Sequence, residues 1–353
     1  MSAALKRRAF FATAAAAAVF PALPARARAA PSSFAPLVKR VMPTVVNIAS
    51  TTTVAAADDP FSMLPPEVQR QLRERFRQRS QEVSGVGSGF IIDPSGFIVT
   101  NNHVVATATR IVVSLSDGTE LPAKVIGGDD LTDVALLKVT SPTKLPAAAW
   151  GDSRLMEVGD WVIAAGNPFG LGGSVTAGIV SARGRDIRAS AFDDFLQIDA
   201  PINPGNSGGP LFNTDAEVVG MNTAIFSPTG SSVGIGFAIP SEIVSRIVTE
   251  LRSKGFVERG WLGVSLRDVA QPQGPDGVGI AAVERNGPAF KGGLRPGDIV
   301  TGVDGEKVAN SRALIRAVAA TPPGNTVRLA VRRQTGAVDV AVTVGRRPRS
   351  EGN

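Results

Sequence analysis

The chain has 353 residues, 43% of them hydrophobic, with 38 glycines and 25 prolines. That length allows two or three domains with cores of their own, and the apolar content excludes disorder throughout. Cysteine is absent and histidine occurs once, which excludes disulfides, a thiol nucleophile and a thiolate metal site; no metal and no cofactor are expected.

The net charge of +6 does not point to nucleic acid. Lys6, Arg7, Arg8, Arg26 and Arg28 stand in residues 1–29 without an acid, and the remainder carries only +1. Lys6-Arg7-Arg8, the apolar run 9–23 and Ala27-Arg28-Ala29 have the order of a signal peptide: charged start, apolar centre, small-x-small cleavage site. Arg7-Arg8-Ala9-Phe10-Phe11 resembles a twin-arginine signal. The apolar run is short for a spanning helix. Export to the periplasm is expected, with membrane association only if the leader stays uncleaved.

Residues 41–54 are rich in β-branched side chains and predict a strand. Residues 55–84 break the pattern with Pro65-Pro66 and a run holding Arg70, Arg73, Arg75, Arg77 and Arg79, a long solvated loop. Gly85-Val86-Gly87-Ser88-Gly89 looks like a phosphate loop, yet it opens a strand pair and not a helix, so nucleotide binding is rejected. Short strands follow at 89–92, 97–99, 111–115 and 120–126, the last two joined by an Asp117-Gly118 turn. Others are expected at 133–139, 161–165, 178–181, 195–199, 210–212, 218–224 and 234–239. Strands this dense without intervening helices predict a barrel or sandwich. The first convincing helix has Ile243, Val244, Ile247, Val248 and Leu251 on one face, Ser241 as its cap and Gly255 as its stop. Beyond it lies an α+β module: strands at 278–283, 299–303, 326–332 and 338–344, with a helix at 311–320. A basic, frayed tail is expected from Gly345.

Three segments carry chemistry. Thr100-Asn101-Asn102-His103-Val104-Val105 holds the one histidine. Asp130-Leu131-Thr132-Asp133-Val134 precedes an apolar strand. Gly205-Asn206-Ser207-Gly208-Gly209-Pro210 sets a serine among glycines. A serine hydroxyl needs a base to take its proton, and an imidazole needs a carboxylate to fix its tautomer. His103 is the sole candidate of its kind for the base. Asp133 is preferred as the carboxylate because it sits at a strand mouth; Asp129 and Asp130 remain alternatives. The glycines free the Gly205 and Ser207 amides to form an oxyanion hole. Gly-x-Ser-x-Gly is also the nucleophile elbow of α/β-hydrolases, but that fold places its histidine after the serine, and none follows Ser207.

These segments resemble the catalytic segments of HtrA (Deg) serine proteases, as do Gly166-Asn167-Pro168-Phe169-Gly170 and Gly234-Ile235-Gly236-Phe237-Ala238-Ile239-Pro240. The C-terminal module resembles one PDZ domain, with Trp261-Leu262-Gly263-Val264 as its carboxylate loop and Leu294-Arg295-Pro296-Gly297-Asp298 beyond. The resemblance implies a mainly β chain: a chymotrypsin-like pair of six-stranded barrels with the site between them, then an α+β PDZ domain. It divides the sequence into a signal peptide (1–29), a protease domain (30–255), a PDZ domain (256–345) and a basic tail (346–353). It implies an ATP-independent endopeptidase for misfolded or unassembled envelope proteins, usually trimeric, with packing near Phe34. Unfolded substrate would add as a strand along 222–226, with Ile202 and Ile225 lining the primary pocket. Pro201 stands where an acid would select Lys or Arg, and the resemblance implies small aliphatic residues such as Val or Ala there instead. Peptide C-termini would bind at Trp261, Leu262, Gly263 and Val264, ordering the loops 169–175 and 227–233. The competing reading is a holdase that binds unfolded clients with proteolysis switched off.

Overall fold

The structure, a computed structural model, describes residues 31–53, 82–167, 173–203, 205–227, 232–269, 277–333 and 335–348. The expected leader, residues 55–81 of the arginine-bearing loop, and the tail from 349 onward lie outside the described residues. So do 168–172 and 228–231, within the two loops expected to respond to peptide.

Six strands close the first barrel: β1 (Val45–Thr53), β2 (Glu82–Asp93), β3 (Phe97–Asn101), β4 (Arg110–Ser114), β5 (Glu120–Asp129) and β6 (Val134–Val139). Their order around the ring is β1-β2-β3-β6-β5-β4. β6 shows why the sequence folds this way. Its near-continuous apolar run is buried on both faces. Ala135, Leu137 and Val139 point into the barrel with Ile48, Ile91 and Ile98. Val134 and Leu136 point outward, into a cluster shared with Ile163, Phe212 and Met221 of the second barrel.

The second barrel is built from β8 (Trp161–Gly166), β9 (Ser174–Arg185), β10 (Phe195–Ile198), β11 (Pro210–Phe212), β12 (Glu217–Ile225) and β13 (Gly236–Pro240). They run β11-β8-β9-β10-β13-β12, and β11 pairs with β12 to close the ring. A two-residue strand, β7 (Ala149–Trp150), lies parallel to β12 outside it.

The structure corrects the sequence reading at several points. The strand expected over 41–54 begins only at Val45. Before it run a helix, Ala35–Val41, with proline in its first turn, and a 3-10 turn, Met42–Thr44, that contains Pro43. Proline's fixed φ suits both, and outweighs the β-branched composition. Ser241 does not cap its helix, Ser241–Lys254. Pro240 occupies the cap position, and the Ser241 hydroxyl donates to the Gly151 carbonyl at 2.8 Å. Gly255 does end that helix, at φ 79°. Val244, Ile247, Val248 and Leu251 bury its apolar face in the cluster shared by both barrels.

The third unit is a sheet of β15 (Val264–Val269), β16 (Gly277–Val283), β17 (Ile299–Val303), β19 (Thr326–Arg333) and β20 (Gly336–Thr343), in the order β15-β16-β17-β19-β20. A short β18 (Glu306–Lys307) pairs with β17. Helices Pro288–Lys291 and Ser311–Ala320 complete it, and the Asn310 side chain caps the second by accepting from the Ala313 amide at 3.0 Å. The tail is not frayed from Gly345: β21 (Gly345–Arg346) pairs with β14 (Gly260–Trp261). Arg346 meets Glu258 at 2.8 Å, and Arg347 meets Asp130 at 3.0 Å. Among the described residues no helix is long and apolar enough to cross a membrane.

Candidate active site

The two barrels bring one half-site each to their seam. On the first barrel, β3 ends at Asn101 and a four-residue helix, Asn102–Val105, follows at once. It carries His103 on its first turn. Asp133 stands opposite, one residue before β6, at φ 56°. That left-handed conformation is unusual for a residue with a side chain. Here it is held on several sides. The Asp133 carbonyl accepts from the Asn102 amide at 3.1 Å and from Asn101 Nδ2 at 2.9 Å. One carboxylate oxygen accepts from the His103 amide at 2.9 Å. The other lies 2.8 Å from His103 Nδ1 and accepts from Thr223 Oγ1 at 2.9 Å.

The three aspartates have different partners. Asp129 is buried, receives two hydrogen bonds from Thr132, and forms an ion pair with buried Arg259. Asp130 faces Arg347. Only Asp133 reaches the imidazole. Its hydrogen bond and charge raise the His103 pKa above the usual 6.5, against a smaller opposing effect of burial.

On the second barrel, Ser207 lies in the turn that leads into β11. Gly205 and Gly208 adopt φ of 96° and 85°. A side chain at Gly208 is excluded by space as well: its Cβ would lie 2.3 Å from the Ser88 carbonyl. Among the described residues the amides of Gly205 and Ser207 have no acceptor. Ser207 Oγ donates to the Thr223 carbonyl at 3.3 Å, and no hydrogen bond joins it to His103. Thr223 therefore touches both half-sites, the carboxylate through its hydroxyl and the serine through its carbonyl.

Thr223 belongs to the outer half of β12. There the strand pairs with β13 on one side, Ala224 with Phe237 and Ile225 with Gly236. Its pairing with β11 stops at Met221. The segment Thr223–Phe226 therefore has one edge open beside Ser207, and Phe226 is exposed. Ile202 is buried in the second-barrel cluster, and Ile225 packs against the same cluster. A further cavity of about 320 Å³ flanks His103 and Asp133, with Leu131, Phe195 and Ala224 in its wall.

Residues 87–221 match the trypsin-like peptidase domain family, and residues 260–344 match the PDZ domain family. A protein of Halomonas elongata described as a probable periplasmic serine endoprotease, DegP-like, is 44% identical over 340 residues, covering 90% of this chain and 72% of the relative. The chain belongs to the DegP-like, HtrA-type serine protease family. A relative of the same description from Brucella suis is 51% identical over 274 residues, 75% of this chain and 53% of its own length; the chain thus spans about half of that protein. Among solved structures, the HtrA-type protease AlgW with decapeptide superimposes with a TM-score of 0.74 at 37% identity, covering 90% of this chain and 99% of the other. The serine endoprotease from Yersinia pestis does so at 0.69 and 32%, covering 91% and 100%.

In this HtrA-type chain Trp261, Leu262, Gly263 and Val264 line a cavity of about 480 Å³ with Leu266, Leu314, Ile315 and Val318. Gly263 has φ 75°, and the amides of Leu262 and Gly263 have no acceptor among the described residues. Leu131 of the first barrel borders the same cavity, two residues from Asp133.

Sequence reasoning missed Thr223, Asn101 and Ser88. Asn101 stood within the quoted histidine segment and Thr223 within the expected substrate edge 222–226, but neither was given a role of its own. Asn101 carried a weak signal, an amide beside the histidine helix. Thr223 carried no signal of its own, since threonine is an ordinary strand residue.

Proposed function

We propose that this chain is an exported serine endopeptidase that works through an acyl-enzyme, with Ser207 as nucleophile, His103 as general base and Asp133 as its orienting carboxylate. The observation that carries this reading is the shared carboxylate. Asp133 holds both the backbone and Nδ1 of His103 and accepts from Thr223, leaving Nε2 as the free base. Substrate adds along the open edge at Thr223–Phe226. Its amide takes over the Thr223 carbonyl, to which the Ser207 hydroxyl now donates, and the hydroxyl turns to Nε2. The imidazole accepts the proton as Oγ attacks the scissile carbonyl. The Gly205 and Ser207 amides receive the negative oxygen. The imidazolium then protonates the leaving amine, and water repeats the sequence to release the acid.

Ile202 and Ile225 form the primary pocket and take small aliphatic side chains. The groove at Trp261–Val264 takes a peptide C-terminus, with the carboxylate on the Leu262 and Gly263 amides and the last side chain among Leu266, Leu314 and Val318. Misfolded envelope proteins supply such ends and such extended segments, and the relatives' description as periplasmic supports that compartment. A trimer is in keeping with the half-buried Phe34 before the N-terminal helix, whose ring packs on Trp161.

The test is casein cleavage by the mature protein and by Ser207→Ala. The variant should show no turnover; cleavage equal to wild type removes Ser207 from the mechanism.

A further inference from the structure

We propose that Ser88 is a positioning residue of the oxyanion segment, its hydroxyl fixing the Gly205–Asn206 peptide so that the Gly205 and Ser207 amides face the reacting oxygen. This rests on reading those two amides as the oxyanion donors.

Ser88 lies in β2 of the first barrel and is fully buried. Every polar atom it owns is used, and most are aimed across the seam. Its amide donates to the Ser207 carbonyl at 2.8 Å. Its hydroxyl donates to the Gly205 carbonyl at 2.6 Å and accepts from the Asn167 amide at 2.8 Å. Its carbonyl accepts from Thr100 Oγ1 at 2.7 Å. The hydroxyl has only one possible orientation, because an amide can only donate and a carbonyl can only accept. The result is a directed chain, Asn167 N–H to Ser88 O–H to Gly205 C=O, in which each bond polarises the next.

The Gly205–Asn206 peptide needs such a hold. Gly205 has no side chain to anchor it, and its φ of 96° is open to glycine's full freedom. The Asn206 side-chain oxygen is buried without a donor among the described residues, so it does not pin the segment. The N–H end of this peptide is fixed by the Asn203 carbonyl at 3.0 Å. Among the described residues the C=O end is fixed by Ser88 alone. Remove the hydroxyl and a buried carbonyl loses its donor. Rotation of the peptide then relieves it, and the rotation carries the flanking amides of Gly205 and Ser207 off the position where the oxyanion forms. Local shape also accommodates the hydroxyl. A Cβ on Gly166 would come within 2.9 Å of Ser88 Oγ and 2.4 Å of Asn206 Oδ1, so the bare backbone there leaves the hub its space.

The experiment compares wild type, Ser88→Ala, Ser88→Thr and Ser207→Ala on a peptide anilide; rates of the three that retain Ser207 are divided by the end-point fraction labelled by a fluorophosphonate. Losing an oxyanion donor outright costs roughly 10²–10³ in rate; misaiming the pair through Ser88→Ala is expected to lower kcat by about 10- to 100-fold with KM unchanged. Binding of a peptide boronate, which makes a tetrahedral adduct, should weaken by the same factor, while binding of the planar product peptide should not change. Ser88→Thr, which restores a hydroxyl on the same strand, should recover most of the loss. A kcat for Ser88→Ala within about twofold of wild type overturns the proposal. So does a loss that vanishes on division by the labelled fraction, since that is a role in folding. If Ser207→Ala cleaves like wild type, the reading of the whole site fails, whatever Ser88→Ala does.

Discussion

Replacing Asp133 by asparagine tests the carboxylate half of the site. The carboxylate makes three hydrogen bonds, to the His103 amide, His103 Nδ1 and Thr223 Oγ1. Asparagine has nearly the same shape, so the left-handed turn at φ 56° and the bonds from Asn101 and Asn102 to the Asp133 carbonyl should survive. Its oxygen can still accept from the His103 amide. Its NH₂ then meets Nδ1, which must become an acceptor, and the imidazole proton moves to Nε2. An imidazole protonated at Nε2 cannot take the proton of Ser207. The expected loss is about 10⁴-fold in kcat, or about 5.4 kcal/mol at about 1.36 kcal/mol per tenfold. KM should hardly change, because the open edge of β12 is untouched. The pH profile supplies an independent sign. The imidazolium is the inactive form, and Asp133 raises the His103 pKa. Wild-type kcat/KM should therefore fall as pH drops through a value above 6.5. In Asp133→Asn the acid limb should move to lower pH. The assay is hydrolysis of a peptide anilide from pH 5 to 9, with thermal unfolding as a check on the fold. A variant that keeps a tenth of the wild-type kcat, or an acid limb that stays in place, would refute the reasoning.

Three further outcomes are expected. Gly208→Ala should abolish cleavage and lower the melting temperature: its φ of 85° costs about 1–3 kcal/mol for a side-chain-bearing residue, and its Cβ meets the Ser88 carbonyl at 2.3 Å; an active, equally stable variant would contradict the packing. Asp298 is buried and accepts from Arg333 Nε at 2.7 Å, Arg333 Nη2 at 2.9 Å and the Arg295 amide at 2.9 Å. Burial pushes its pKa up, but these bonds outweigh it and hold the carboxyl below its usual range. Asp298→Asn should destabilise the C-terminal unit, a deficit present above the unfolded carboxyl's pKa and lost as pH falls through the lowered folded one; calorimetry across pH 2–7 reads it, and a pH-independent difference would count against the ion pair. Ile315→Asp, in the wall of the cavity at Trp261–Val264, should weaken binding of a fluorescent peptide with an apolar free C-terminus by anisotropy, and amidating that terminus should weaken binding to wild type; equal affinities throughout would mean the peptide sits elsewhere.

The sequence was legible where its signal is periodic or motif-bound. β6 reads as an apolar run, the helix Ser241–Lys254 as a face of Val244, Ile247, Val248 and Leu251, and the hairpin before β5 as an Asp-Gly turn. What escaped was short or non-local. The helix holding His103 has four residues, too few for a 3.6-residue period to show. β7 has two residues and is defined only by its partner β12. Thr223 is 90 residues from Asp133 in sequence, and a single hydroxyl gives no pattern at that distance. Ser88 was hidden by its neighbours: glycines on both sides made Gly85–Gly89 look like a loop, whereas in the barrel they let β2 pass close to Val104 and Ile48. The Asp129–Arg259 pair shows the same limit. The strand mouth favoured Asp133 but left Asp129 and Asp130 as alternatives; in the structure arginines occupy those two, while Asp133 meets His103.

Those arginines make the carboxylate half of the site a joint product of two folding units. Asp129 holds Thr132 from one side and Arg259 from the other, and Thr132 is the residue before Asp133. Arg259 also covers the Phe192 ring at 4.4 Å. The Leu131 carbonyl accepts from Ser190 Oγ at 2.6 Å, and Arg316 of the C-terminal unit reaches the Asp193 carbonyl at 3.0 Å. Asp133 keeps its left-handed conformation within this frame, and a strained residue persists only where its surroundings over-determine it. The Ser207 segment is held differently, by Ser88 of the first barrel, whose carbonyl is in turn bonded by Thr100, and by nothing from the C-terminal unit among the described contacts. A change in how the C-terminal unit seats on the barrels therefore reaches the Asp133 side first, and Ser207 through the barrel contacts of Thr223 and Ser88. Of the two candidate half-sites, only the Asp133 side is braced by the C-terminal unit among the described contacts, and it is also the side that borders the cavity at Trp261–Val264 through Leu131.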